Sequence, residues 1–202
     1  SSVTTTYSYN TTDNRLDPST GTDLSASWEF AGIGGTEHFS KYILDARHFW
    51  PFVWDTVLSA RGQVGYVHDW QKNEDVPIDE RFYLGGIRSL RGFDNREVGP
   101  RDEFGDFIGG ETEAFFNFEF IFPLYQELNI KGVAFFDVGN TWSNDDYWGE
   151  DDQVFGSWRY SAGGELRWLS PLGPMRFAYG YNLDPRDYES DTQFDFTIGR
   201  FF

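Results

Sequence analysis

Cysteine is absent from this 202-residue chain and methionine occurs once. A disulfide framework and a thiolate metal site are therefore excluded. No run approaches the roughly 20 consecutive apolar residues of a membrane-spanning helix, and no charged start followed by an apolar centre marks a secretory signal. Basic residues are scarce: 16 Lys and Arg stand against 33 Asp and Glu, a net charge of -17. No basic stripe is available to neutralise phosphates, so nucleic acid is not an expected partner. Helical stripes are missing as well. What the chain has in excess is aromatic side chains, 20% of its residues, together with 22 glycines. Such aromatic content argues against disorder. The opening residues SSVTTTYSYN read like the middle of a strand, as expected of a piece of a longer protein.

The periodicity that is present has a period of two. Val3, Thr5, Tyr7 and Tyr9 alternate with Thr4, Thr6 and Ser8. Leu24, Ala26, Trp28 and Phe30 alternate with Asp23, Ser25, Ser27 and Glu29. A third segment sets Tyr42 and Leu44 against Lys41, Asp45 and Arg47, and a fourth is expected from Trp54 to Val67. Next, Phe116, Phe118, Phe120 and Phe122 oppose Glu113, Phe115, Asn117 and Glu119, with a tight turn expected at Pro123-Leu124-Tyr125. Phe136 and Val138 then oppose Phe135 and Asp137; Tyr160 and Leu166 oppose Arg159, Glu165 and Arg167; Phe177 and Tyr179 oppose Arg176 and Ala178. A ninth segment sets Phe194, Phe196, Ile198 and Phe202 against Gln193, Asp195 and Thr197.

Segments of about 9 to 14 residues are long enough to cross a bilayer at a tilt. Connections alternate between short (WPFV, FPLYQ, SPLGP) and long (69–109, 141–156, 183–191), as expected of the two sides of an outer-membrane barrel. The expected fold is thus all-β, a transmembrane antiparallel up-and-down barrel with 8 or 9 strands in this chain, apolar residues facing lipid and polar ones the lumen. A soluble sandwich or lipocalin-like barrel is the alternative that periodicity alone leaves open. On the barrel reading, arginine at lipid-facing Phe118 is expected to be costly, and arginine at lumenal Asn117 mild.

The stretch from Glu80 to Pro100, ERFYLGGIRSLRGFDNREVGP, breaks the alternation. Paired glycines and the Arg91-Gly92 step suit a loop held by a partner. Gly92 adds no side chain and tolerates unusual dihedrals, and a carboxylate would take the guanidinium at two points.

GGIRSLRGF (85–93) with VGP (98–100), FFDVGNTW (135–142), ELRWLSPLGPMRFAYG (165–180) and the terminal FDFTIGRFF occur in one order. That order resembles the C-terminal half of the barrel of BamA-type insertases, which assemble outer-membrane proteins. The resemblance covers the whole chain and implies a single barrel domain over 1–202, half of a sixteen-stranded barrel, lacking the family's periplasmic POTRA domains and first barrel half. It implies a place in the bacterial outer membrane and a non-enzymatic function in outer-membrane protein assembly and insertion, by strand templating and local bilayer thinning, without a cofactor. Implied partners are membrane lipid, unfolded outer-membrane proteins and, for the parent protein, the lipoproteins of the assembly machinery. Self-association through strand edges is a further expectation, since a truncated barrel has edges.

Residue by residue, the resemblance implies that Leu90, Arg91, Gly92 and Phe93 form a motif folded back into the lumen, with leucine where the family has valine. Arg91 would reach acidic residues on the following two strands, here Glu119 and Asp137. Phe194, Phe196, Ile198, Gly199 and Phe202 resemble the terminal signal by which such barrels are recognised. The alternative function is a small barrel acting as pore or membrane enzyme. Against catalysis, no GxSxG is present, and His38, His48 and His68 share the lipid-facing parity at segment ends. The acidic run 144–152 lacks regular calcium-ligand spacing, so no metal site is assigned.

Overall fold

The alternating segments form nine strands in a computed structural model that describes residues 1–32, 34, 38–70, 76–143, 157–171, 173–186 and 188–199. They are β1 (Ser2–Asn10), β2 (Gly21–Ala31), β3 (Phe39–Pro51), β4 (Val57–Asp69), β5 (Thr112–Tyr125), β6 (Ile130–Trp142), β7 (Arg159–Ser170), β8 (Gly173–Asn182) and β9 (Thr192–Ile198). All pair antiparallel with their sequence neighbours in the order β1 to β9. Among the described residues β1 and β9 do not pair, so the sheet is an open wall of up-and-down strands. Among the described residues neither an eight-stranded nor a nine-stranded closure forms.

The faces follow the parity in the sequence because successive side chains of a strand point to opposite sides. On β5, Phe116, Phe118 and Phe120 are 37%, 49% and 38% exposed on the outer face, while Glu113, Phe115, Asn117, Glu119 and Ile121 are buried on the inner one. Aromatic and β-branched residues suit such a pleated, half-buried surface. Polar inside and apolar outside is the pattern of a membrane barrel, the inverse of a soluble sandwich.

Two boundaries differ from the sequence reading. The fourth strand starts at Val57, because Trp54 and Asp55 take left-handed φ values of 55° and 57° in the turn before it. Thr56 Oγ1 donates to Val53 O at 2.6 Å and Phe52 N to Thr56 O at 2.8 Å, closing that turn. Pro123 to Tyr125 is strand: the register shifts between Pro123 and Tyr125, a bulge that accommodates the missing proline N–H. The reversal comes one step later, at Gln126–Leu128, with Asn129 left-handed.

The long connection between β4 and β5 fills the concave side of the wall. Its described part packs in two apolar clusters. Phe82 and Val76 join Ala31, Phe39 and Val67 of the strands. Leu84, Leu90, Phe93 and Val98 surround Phe115 of β5. A third cluster, Phe49, Val57, Ile121 and Val133, lies on the wall nearer the short turns.

Candidate functional site, a charged lock on the lumenal wall

The loop enters the concavity as a series of tight turns. Leu84 bridges Val98, Gly86 N donates to Phe93 O at 3.0 Å, and Ser89 Oγ takes the Gly85 N–H at 3.0 Å. These bonds bring Leu90 to Phe93 to the tip that meets the wall. Leu90 and Phe93 are buried in the Phe115 cluster, which anchors the tip apolarly on both sides of the arginine. Gly92 has φ +88°, a conformation that side chains rarely adopt.

Arg91, 2% exposed, uses four of the five N–H donors of its planar fork. Nε donates to Asp137 Oδ2 at 2.8 Å and Nη2 to Asp137 Oδ1 at 2.7 Å. Nη1 donates to Glu119 Oε1 at 2.9 Å and to Glu165 Oε2 at 2.8 Å. The guanidinium carbon lies 3.9 Å from the centre of the Phe135 ring, in cation–π range. Burial alone would pull this guanidinium pKa down. Asp137 above all, then Glu119 and Glu165, hold it well above its ordinary value.

The carboxylates are shared with the wall itself. Arg167 Nη2 donates to Glu119 Oε1 and its Nε to Glu165 Oε1, both at 2.7 Å. Arg176 grips Glu165 at 2.7 and 2.8 Å. Three buried guanidiniums, Arg91, Arg167 and Arg176, thus face three buried carboxylates, Glu119, Asp137 and Glu165. Such a set tolerates removal from water only while every member is present. The wall's buried Arg47 also lies near Glu119, and the docked loop adds a guanidinium that contacts all three carboxylates at once.

Further contacts hold the tip. Asn117 Nδ2 donates to Ser89 O at 2.6 Å, Arg61 Nη1 to Arg88 O at 2.9 Å, and Thr141 Oγ1 to Val98 O at 3.3 Å. Asn117 is therefore a buried contact to the loop rather than an open lumenal position, which overturns the expectation that arginine there is mild. The Arg159 guanidinium lies 5.2 Å from the Phe93 ring centre and is itself paired with Glu189.

The structure brings Leu90, Arg91, Gly92, Phe93, Glu119 and Asp137 into one site and adds Glu165, Arg167, Arg176 and Asn117, which sequence reasoning did not assign. Their signal was a charged or amide residue on the lumenal parity of a strand. The terminal set lies elsewhere: Phe194, Phe196 and Ile198 face outward on β9, Gly199 has φ +138°, and Phe202 falls outside the described residues. The histidines pair separately, His48 Nδ1 with Thr22 Oγ1 at 2.7 Å, His68 stacked on Tyr66 and His38 edge-on to Trp70. The acidic run 144–152 also lies outside the described residues. Among the described residues no group of three His, Cys, Asp or Glu side chains is placed to hold a metal ion.

The Omp85 superfamily domain matches residues 1–202. The chain belongs to the Omp85 superfamily. Among curated relatives, the outer membrane protein assembly factor BamA of Nitratidesulfovibrio vulgaris is 39% identical over 201 residues, covering 97% of this chain and 25% of the relative. BamA of Neisseria meningitidis is 30% identical over 219 residues, covering 96% of this chain and 28% of its own. The Omp85 chain thus spans about a quarter of the length of these relatives. Among solved structures, BamA from Haemophilus ducreyi lacking POTRA domains 1-3 superposes with a TM-score of 0.85 at 24% identity, over 98% of this chain and 42% of that one. That likeness speaks for the fold, and together with the relatives it makes this Omp85 chain an outer-membrane β-barrel segment.

Proposed function

We propose that the protein carrying this chain assembles and inserts other outer-membrane proteins, that this segment is its loop-bearing wall, and that it works without a cofactor or a covalent step. The observation that carries the reading is the docked loop. Arg91 bonds three wall carboxylates at once, so the lock holds the lumenal filling to the wall. The names of the BamA relatives support the same reading.

The proposed mechanism is strand templating, by edge pairing with an incoming strand, together with local thinning of the bilayer. Unfolded outer-membrane proteins are the proposed clients, and assembly lipoproteins the proposed helpers.

The test uses vesicles carrying the protein and a urea-unfolded outer-membrane barrel as client, with folding followed by heat-modifiable gel migration. Client folding faster than in empty vesicles is expected, and Arg91→Ala should slow it. Folding no faster than in empty vesicles, accompanied by ion conductance or lipid hydrolysis, would place the protein with the pores or membrane enzymes instead.

A further inference from the structure

Charge brings Arg91 to the wall and Asp137 also takes its backbone N–H, but a steric contact decides how closely the loop backbone approaches β8. A Cβ added at Gly180 of β8 would lie 2.4 Å from Gly92 N, 2.5 Å from Gly92 Cα and 2.9 Å from Arg91 C. All three are backbone atoms, which cannot swing aside as a side chain can. The approach is mutual, since a Cβ at Gly92 would meet the Gly180 carbonyl carbon at 3.1 Å and Tyr181 N at 3.2 Å. Hydrogen is thus the largest group that fits between the loop and β8.

On the neighbouring strand, Gly163 is the register partner of Gly180. A Cβ there would lie 2.2 Å from Tyr179 O, 2.7 Å from Phe135 Cζ and 2.9 Å from Gly180 Cα. Phe135 is the ring beneath the Arg91 guanidinium. Gly163 therefore leaves room for that ring beneath the cation, and Gly180 lets the backbone beside the cation reach the wall.

We propose that Gly180, with Gly163 beside it, is a positioning slot in the β7–β8 wall that seats the Arg91-Gly92 backbone and couples the loop to β8. The carboxylates of the lock lie on β5, β6 and β7. The slot adds a direct backbone contact to β8, whose Arg176 already grips Glu165 and which pairs along Met175–Tyr181 with β9. Loop position is thereby passed to β9. The consequence for client assembly rests on the proposed function; the slot itself rests on geometry alone.

Gly164 provides the control. It adjoins Gly163 but is exposed, and a Cβ there would find only Val133 O, at 3.9 Å. Two measurements are made on the detergent-reconstituted protein: the rate of proteolysis within 76–111, and hydrogen exchange of the β9 amides. Gly180→Ala should speed both by about tenfold or more, as expected when a methyl is forced into a closed contact and opening limits cleavage. Gly164→Ala should stay within about twofold of the parent, as substitutions away from such contacts do. Parent-like protection in Gly180→Ala overturns the proposal.

A purely structural role for the glycine is separated by adding Gly180→Ala to Arg91→Ala. With the loop already released, the methyl should add nothing to loop cleavage, and a second full increment would overturn the slot. If Gly180→Ala alone does not fold, it is introduced into a chain whose residues 85–95 are replaced by a Gly/Ser linker. Folding there is expected because the opposed atoms are gone, and failure to fold there counts against the slot. Client folding that is indifferent to Arg91→Ala would sink the assembly reading while leaving the slot to be judged on cleavage and exchange.

Discussion

Arg91 and Asp137 meet at three points rather than two. Nε and Nη2 of the guanidinium take the two carboxylate oxygens at 2.8 and 2.7 Å, and the Arg91 backbone N–H donates to Oδ2 at 3.1 Å. One wall aspartate therefore holds both the charge and the chain direction of the loop tip.

Removing that cation takes from the buried Asp137, Glu119 and Glu165 a guanidinium that contacts all three. Breaking a buried pair of this kind typically costs about 3 to 5 kcal/mol. Arg91→Ala is expected to expose 76–111 to protease, whereas Arg88→Ala, at an exposed position, is not. Arg91→Lys should rescue only in part, because an ammonium cannot span three carboxylates as a planar fork does. Equal cleavage of the Arg88 and Arg91 variants would remove the lock from the argument.

The outer face can be tested at Phe118. Arginine there should destabilise by roughly 2 to 4 kcal/mol if the site lies near the bilayer midplane. Ser25→Arg, on the lumenal parity and in register with Asp45, should stay within about 0.5 kcal/mol of the parent. Urea unfolding in lipid vesicles compares the two, and similar midpoints would mean that the faces are assigned the wrong way round.

On β9, Phe196 pairs in register with Phe177, their ring centres 4.9 Å apart. Such a pair contributes about 0.5 to 1.5 kcal/mol beyond its buried area. Phe196→Ala should therefore raise hydrogen exchange of β9 amides several-fold while β5 amides stay as they were. An unchanged β9 would show that the edge strand is held by something other than this contact.

The β1–β2 turn carries its own acid-sensitive clasp. Burial would raise the Asp13 pKa, but Ser19 Oγ, at 2.6 Å, and the backbone N–H groups of Ser19 and Thr20 lower it to about 2. A carboxylate depressed in the folded state contributes stability above its unfolded pKa near 3.8 and loses it as pH falls toward 2. Amide signals of Ser19 and Thr20 should accordingly shift between about pH 4 and pH 2 in the parent and not in Asp13→Asn. A midpoint at the ordinary aspartate value would show that the clasp is not formed.

The sequence by itself determined which side of each strand meets lipid. Phe116, Phe118 and Phe120 declare an apolar face, and Glu119 and Asp137 a polar one, because side-chain direction alternates locally whatever the rest of the fold does. It misled at Trp54 and at Pro123, since parity continues through a turn or a bulge in the letters even where the backbone does not. The partnership of Arg91 with Glu119 and Asp137 came from a family resemblance and not from spacing. Glu165, Arg167, Arg176 and Asn117 carried the correct parity yet looked like any other lumenal residues. Only the tertiary structure decided that they converge, because Arg91 meets residues 28, 46 and 74 positions away in sequence. Which of many lumenal residues meet the loop depends on strand register, on the curvature of the wall and on the absence of a Cβ at Gly180. None of these is a local property of the chain.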